Sequence, residues 1–164
     1  VAADKIVAKP DALLGSIGVI YVYEDLTKYF ELYGIRIEVI KTGEDKDLGA
    51  PWRPLTNEDR ENIKRMVNED FDRFIYVVAK GRNLPTEEVL KYADGNVWSG
   101  TQAVSYKFAD RVGTLDTAID EVKILAGLKN PKITFYQIAD DGTVEDMSYE
   151  YFRYQYEPTI RIQK

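Results

Sequence analysis

Cysteine and histidine are both absent from this chain of 164 residues. Without cysteine there is no disulfide framework, and the redox compartment cannot be read from thiol usage. Without either residue, zinc sites of the Cys/His kind are excluded. So is every catalytic device within the chain that relies on an imidazole or a thiolate. Acid–base chemistry must draw on Lys, Asp, Glu or Tyr. Long hydrophobic runs are missing too, since no apolar stretch approaches the roughly 20 residues of a membrane helix. Positive charge is in deficit: the net charge is −6 and the pI about 4.8. That argues against a nucleic-acid groove, which needs a clustered basic face.

Hydrophobic residues make up 45% of the chain, the proportion of a globular protein with one core. Lys5-Ile6-Val7-Ala8 reads as a strand end stopped by Pro10. Gly15-Ser16-Ile17-Gly18 reads as a tight turn feeding a buried strand that runs to Val22. Leu26, Tyr29, Phe30 and Tyr33 recur on one helical face, and Gly34 stands where a left-handed cap belongs. Residues 35–40 alternate apolar and polar, as in a strand. Strand, helix, strand in this order predicts a βαβ unit with a parallel sheet, whose ligands sit at the carboxyl ends of the strands.

The loop Lys41-Thr42-Gly43-Glu44-Asp45-Lys46-Asp47-Leu48-Gly49-Ala50-Pro51 leaves the second of those strands. On its residues alone Lys46 is either a solvated loop lysine or a buried base. Asp45 and Asp47 must point to solvent for the second reading, because nearby carboxylates favour the charged amine. Thr56-Asn57-Glu58-Asp59 has capping-box spacing and opens a helix to about Lys80, closed by Gly81, with Ile63, Met66, Val67, Phe71, Phe74, Val77 and Val78 as its apolar stripe. A short helix follows Leu84-Pro85. Ser99-Gly100-Thr101-Gln102 caps another that runs to about Phe108, with the Trp98 indole packed beside it. Thr114 caps a last helix ended by Gly127, and residues 133–138 read as a strand. Asp141-Gly142 is a turn, and the tail holds Tyr149, Tyr151, Phe152, Tyr154 and Tyr156, in the manner of an interface or a packed edge.

Three stretches, taken together, resemble the signal peptide peptidase A family of serine peptidases, which use a Ser–Lys dyad. The first is Ala2-Ala3-Asp4-Lys5-Ile6-Val7-Ala8-Lys9-Pro10 leading into Gly15-Ser16-Ile17-Gly18-Val19-Ile20. The second runs from Lys41-Thr42-Gly43 through Lys46-Asp47 to Pro51 and the Thr56 helix. The third is Ala93-Asp94-Gly95-Asn96-Val97-Trp98-Ser99-Gly100-Thr101-Gln102-Ala103, continuing to Ala109-Asp110-Arg111-Val112-Gly113.

The resemblance implies an α/β fold of the crotonase/ClpP-like superhelix type, of which this chain would be the carboxyl-terminal half. Residues 1–128 would be the carboxyl-terminal part of the peptidase domain and 129–164 an extension. It implies Lys46 as the general base and Ser16 as the group that orients it, where the residues alone also allow a turn serine bonded to its own backbone. Ser16 as the nucleophile fits poorly, since a strand rather than a helix is expected after it. The family's nucleophilic serine would lie just upstream of Val1, outside this chain. The implied activity is cleavage of hydrophobic peptides such as signal-peptide remnants. No metal or cofactor is implied. The implied partners are the amino-terminal half and further copies of the same chain. The whole protein would be tethered to the cell membrane with its catalytic domain outside the cytoplasm. A fold divided through its sheet would expose apolar edges. Two other readings stay open: a non-catalytic oligomerisation or binding module on this fold, and an acyl-CoA enzyme of the crotonase type.

Overall fold

A computed structural model of the chain describes residues 2–129, 134–138 and 143–147. The chain forms two compact units, Val1–Ala118 and Ile119–Lys164. The architecture is mixed α/β. In chain order the elements of the first unit are β1 (Val7–Ala8), β2 (Leu13–Gly15), α1 (Thr27–Leu32), α2 (Asn57–Arg82), α3 (Thr86–Leu90), β3 (Val97–Ser99), α4 (Gly100–Ser105) and β4 (Arg111–Val112). Helix α5 (Leu115–Ala126) crosses the boundary between the units. In the second unit β5 (Phe135–Ile138) and β6 (Val144–Met147) pair antiparallel, Phe135 opposite Met147. The Asp141-Gly142 turn and the tyrosine-rich tail lie outside the described residues.

The sheets are short. β1 pairs in parallel with β4, Val7 opposite Arg111, and β2 pairs antiparallel with β3, Leu14 opposite Trp98. The core collects around the second pair. Trp98 and Phe108 stack with centroids 5.0 Å apart, and Tyr92 meets both edge-on. Ile75, Val78 and Ala79 of α2, Val89 of α3 and Ala103 of α4 close over them. The stripe of α2 therefore departs from its sequence reading. Ile75 is buried while Met66 and Val77 are exposed, because 71, 75, 78, 79 and 82 are the positions that follow one face down the last turns. Gly81 lies inside the helix, and the left-handed cap is Asn83, φ 52°. Both capping boxes form: Thr56 with Asp59, and Ser99 with Gln102. Helix α4 stops at Ser105, short of Phe108, and Lys107 then turns the chain at φ 68°.

One expectation fails. Residues 17–22 and 35–40 join no ladder, so the parallel pair predicted between them is not formed among the described residues. Both run beside α1 as unladdered chain, and α1 buries no residue. Ile20 is 80% exposed and Val22 70%, where a buried strand was predicted, and Ile40, in the segment read as an alternating strand, is 92% exposed. Alternation makes a segment fit for pairing, but a strand exists only when a neighbouring edge accepts its N–H and C=O groups. No described backbone group bonds residues 36–40 or 18–22. Apolar side chains of both segments are exposed.

A salt bridge closes the first unit. Asp110 accepts from the backbone N–H of Ile6 at 2.8 Å and from Nη1 of Arg82 at 2.9 Å. Arg82 Nε also donates to the Lys107 carbonyl at 2.9 Å. The end of α2, the strand β1 and the turn before β4 are thus held at one point.

Gly100 offers a direct check of this packing. A Cβ there would fall onto the Lys9 carbonyl oxygen and press against Ala8. Gly100→Ala should cost about 1–3 kcal/mol by overpacking, read as a lower urea midpoint of the full-length protein at unchanged slope. An unchanged midpoint would mean that α4 does not seat against β1 this closely.

Candidate active site

The loop that carries Lys46 is built around charge. Glu44–Asp47 forms a single 3-10 turn between Gly43 and Leu48. Lys41 reaches over this turn, donating to the Glu44 carbonyl at 2.6 Å and to Asp47 Oδ1 at 2.9 Å. Its two contacts lie on either side of Lys46. Arg53 approaches from the far end of the loop, its Nη2 3.0 Å from Asp47 Oδ1. The same guanidinium grips Asp59, Nη1 to Oδ2 at 2.5 Å and Nη2 to Oδ1 at 3.3 Å. Asp59 also accepts the Thr56 backbone N–H at 2.8 Å, which completes the N-terminal cap of α2. Two carboxylates and two cations form one balanced cluster, and the loop is fastened through it to the first turn of a helix of 26 residues.

The electrostatics follow from those bonds. Arg53, then Lys41, hydrogen-bond the Asp47 carboxylate and hold its pKa at about 2. Asp59 is also held below the usual carboxylate range, first by Arg53 and then by the Thr56 N–H. The guanidinium of Arg53 is pushed up by Asp59 and Asp47 in turn. Asp47 does not point to solvent, as the base reading had required of it. Its side chain is only 8% exposed and faces Lys41 and Arg53. That expectation fails for Asp47, whose charge is instead paired with those two cations. Asp45 is exposed.

Lys46 itself is exposed, and among the described residues its amine has no hydrogen-bond or ion-pair partner. Ser16 lies beyond the last residue of β2. Its N–H donates to the Asn96 carbonyl at 2.7 Å, and the next bond of that series runs from Gly95 N–H to the Ile17 carbonyl at 3.1 Å. Ser16 has φ 52°, a left-handed value uncommon for a residue with a side chain. Gly15 before it has φ 106°, and a Cβ there would sit 2.6 Å from the Asn96 oxygen. The backbone of Ser16 is therefore fixed while its hydroxyl, also exposed, is left without a partner among the described residues. No hydrogen bond joins Ser16 to Lys46. An open groove of about 420 Å³ runs between Tyr21 and Tyr23 on one side and Ile63 and Val67 on the other, and neither Ser16 nor Lys46 lines it. No group of His, Cys, Asp and Glu among the described residues could hold a metal ion, and no described helix is long and apolar enough to cross a membrane.

The sequence pattern of Peptidase family S49 matches residues 1–129. The chain belongs to this family. Its S49 relatives include a Methanocaldococcus jannaschii protein named as a candidate protease, 37% identical over 150 residues, which are 90% of this chain and 47% of that protein. The chloroplastic serine protease SPPA of Arabidopsis thaliana is 34% identical over 144 residues, 87% of this chain and 21% of that protein. Protease 4 of Salmonella typhi is 31% identical over 145 residues, 88% of this chain and 23% of that protein. The resemblance to signal peptide peptidase A holds as membership of S49. The chain spans half or less of the length of these relatives.

Sequence reasoning found Asp59 as a helix cap but missed Arg53 as its partner and Asp47's. The signal was available: Asp47, Arg53 and Asp59 stand at equal intervals of six, two acids flanking a base.

The cluster makes stability depend on acid. A carboxylate whose pKa is lowered in the folded state contributes stability above its ordinary value of 3.8, and loses it as pH falls from there through about 2. Asp47→Asn should therefore flatten the pH dependence of the urea midpoint between about pH 4 and pH 2, leaving the variant less stable than the parent at neutral pH. Parallel curves for variant and parent would show that Asp47 is not charged through its partners.

Proposed function

We propose that this chain forms the carboxyl-terminal part of the catalytic domain of a serine endopeptidase working by a Ser–Lys dyad. Lys46 is its general base and Ser16 the group that aims the amine. The observation that carries this reading is the S49 match across residues 1–129, which contain a lysine held on an anchored 3-10 turn. The nucleophilic serine lies outside this chain, in the amino-terminal half of the protein. That half pairs with the open segments 18–22 and 35–40 and completes a superhelix of the crotonase/ClpP type. The same contacts cover Lys46, since a lysine accepts a proton only when neutral, and removal from water favours that form. The substrates are hydrophobic peptides of the signal-peptide kind, cleaved through an acyl-enzyme. The whole protein assembles from several copies and is tethered to a membrane, its catalytic domain outside the cytoplasm.

Chemically, the lysine amine takes the serine proton as the hydroxyl oxygen attacks the scissile carbonyl, then delivers it to the leaving amine. A second hydroxyl is needed because a lysine on a flexible stem must be aimed. The left-handed backbone of Ser16 supports that role, as residues held in sparsely populated conformations cluster at functional sites.

In the full-length protein, Lys46→Ala should slow phosphonylation of the serine by a fluorophosphonate, with loss of fluoride, and peptide cleavage with it, each by about 100- to 10,000-fold, the contribution of a general base. A variant that still reacts at the parental rate would rule out the dyad, whereas a full-length parent that does not react at all would favour a non-catalytic module, a reading that the solvent exposure of Lys46 supports in this chain.

Ser16 allows chemistry and backbone to be separated. Ser16→Ala and Ser16→Gly both remove the hydroxyl, but only glycine relieves the positive φ, a gain of about 1 kcal/mol. Both should lose activity equally while their urea midpoints differ in favour of glycine. Activity that follows the midpoint instead would make Ser16 a backbone residue only.

A further inference from the structure

We infer that Asp47, clamped between Lys41 and Arg53, is the positioning residue for Lys46. The inference rests on the base reading of Lys46 given above. Three observations carry it. The Lys41 amine bonds the Glu44 carbonyl and the Asp47 carboxylate, so the backbone is pinned both before and after Lys46. Within the turn, the Lys46 N–H donates to the Gly43 carbonyl at 3.3 Å and the Leu48 N–H to the Asp45 carbonyl at 3.0 Å. Arg53 then transfers this fixation to Asp59 and the cap of α2, a rigid element. The carbonyl of Arg53 is itself held by the Tyr23 hydroxyl, and the Pro51 carbonyl by the Leu26 N–H at 2.9 Å. A base on a loop can be placed within the tolerance that proton transfer requires only if a supporting shell fixes it.

The cluster also settles a conflict of charge. An uncompensated carboxylate next to a general-base lysine would favour its ammonium form. Asp47 faces Lys41 and Arg53, and both Asp47 and Asp59 are matched by the two cations. The carboxylate can hold the turn without presenting a net negative charge to its neighbour. Glu44 and Asp45, the other acids of the turn, are exposed and screened by solvent.

The test is a double-mutant cycle in the full-length protein, which supplies the serine. Wild type, Asp47→Ala, Lys46→Ala and the double variant are compared by the rate of serine phosphonylation with a fluorophosphonate per folded molecule, by kcat and KM on a peptide, and by thermal midpoint. Asp47→Ala should slow phosphonylation and kcat about 100-fold, the scale of a misplaced reacting group, with KM little changed. In the Lys46→Ala background the same change should produce no further loss of rate, while its effect on the midpoint persists. Arg53→Ala should mimic Asp47→Ala, and added guanidinium should restore part of its rate. Should Asp47→Ala fail to fold, the Arg53→Ala protein with and without guanidinium carries the same test. Parental rates per folded molecule in Asp47→Ala, an undiminished loss in the Lys46→Ala background, or an Arg53→Ala rate that guanidinium leaves unmoved would each overturn the inference. If Lys46→Ala is slowed while Asp47→Ala is phosphonylated at the parental rate, positioning fails and the base survives. If Lys46→Ala is phosphonylated at the parental rate, both fall.

Discussion

One guanidinium ties the loop between residue 41 and α2 to the first turn of that helix. Arg53 is the only described side chain that touches both Asp47 and Asp59. Its planar fork is what makes this possible, because two nitrogens can address two carboxylates at once where an ammonium offers a point charge. The loop itself has few apolar contacts to fold around, and its glycines add backbone freedom. The order it shows is electrostatic, and it reaches Lys46 only because Asp47 is the next residue. A buried cluster of this kind is not free stability, since each ion gave up water to enter it. What it supplies is a defined geometry at one end of a long helix.

The remainder of the first unit is held quite differently. Around Trp98 the chain folds by aromatic packing, with Tyr92, Tyr106 and Phe108 in stacked and edge-to-face contact. The two segments 18–22 and 35–40 belong to neither, with exposed apolar side chains and no ladder partner among the described residues. Their side chains have the pattern of a sheet interior while their backbones lack a partner among the described residues. This contrast is what joins the fold to the proposed function: Ser16, proposed to aim the base, and the turn that carries Lys46 each adjoin one of these open segments in sequence.

The legible parts of the fold were those written in local chemistry. Thr56 with Asp59 and Ser99 with Gln102 announce helix starts, because a cap is a bond between residues three apart. Glycines after helices did so less reliably: Gly34 and Gly127 cap as expected, whereas Gly81 is passed over in favour of Asn83. The pairings were not legible. β2 binds β3 across some eighty residues, and nothing in Leu13-Leu14-Gly15 names Val97-Trp98-Ser99 as its neighbour. The segments that read most clearly as strands failed for the converse reason, since period-two alternation specifies a face but not a partner. At the candidate site, three separated motifs in register pointed to Lys46 and Ser16. The Asp47–Arg53–Asp59 cluster escaped because each residue reads as ordinary loop or cap polarity until their distances are known.

The bond from Ile6 N–H to Asp110, together with the β1–β4 pairing, has a consequence for how the unit is made. The partners are 104 positions apart, so the first strand can find its place only after almost the whole unit has been synthesised. Contacts of such separation are paid for in loop-closure entropy before they return any energy, and they slow folding. Helix α2 and the Trp98 cluster can assemble from nearer residues. The strand β1 must wait for Asp110, with Arg82 already held at the end of α2 to receive it. Strand β1 is then the last piece of this unit set in place, and until that moment its backbone groups and its buried Ala8 lack the partners they have in the folded unit.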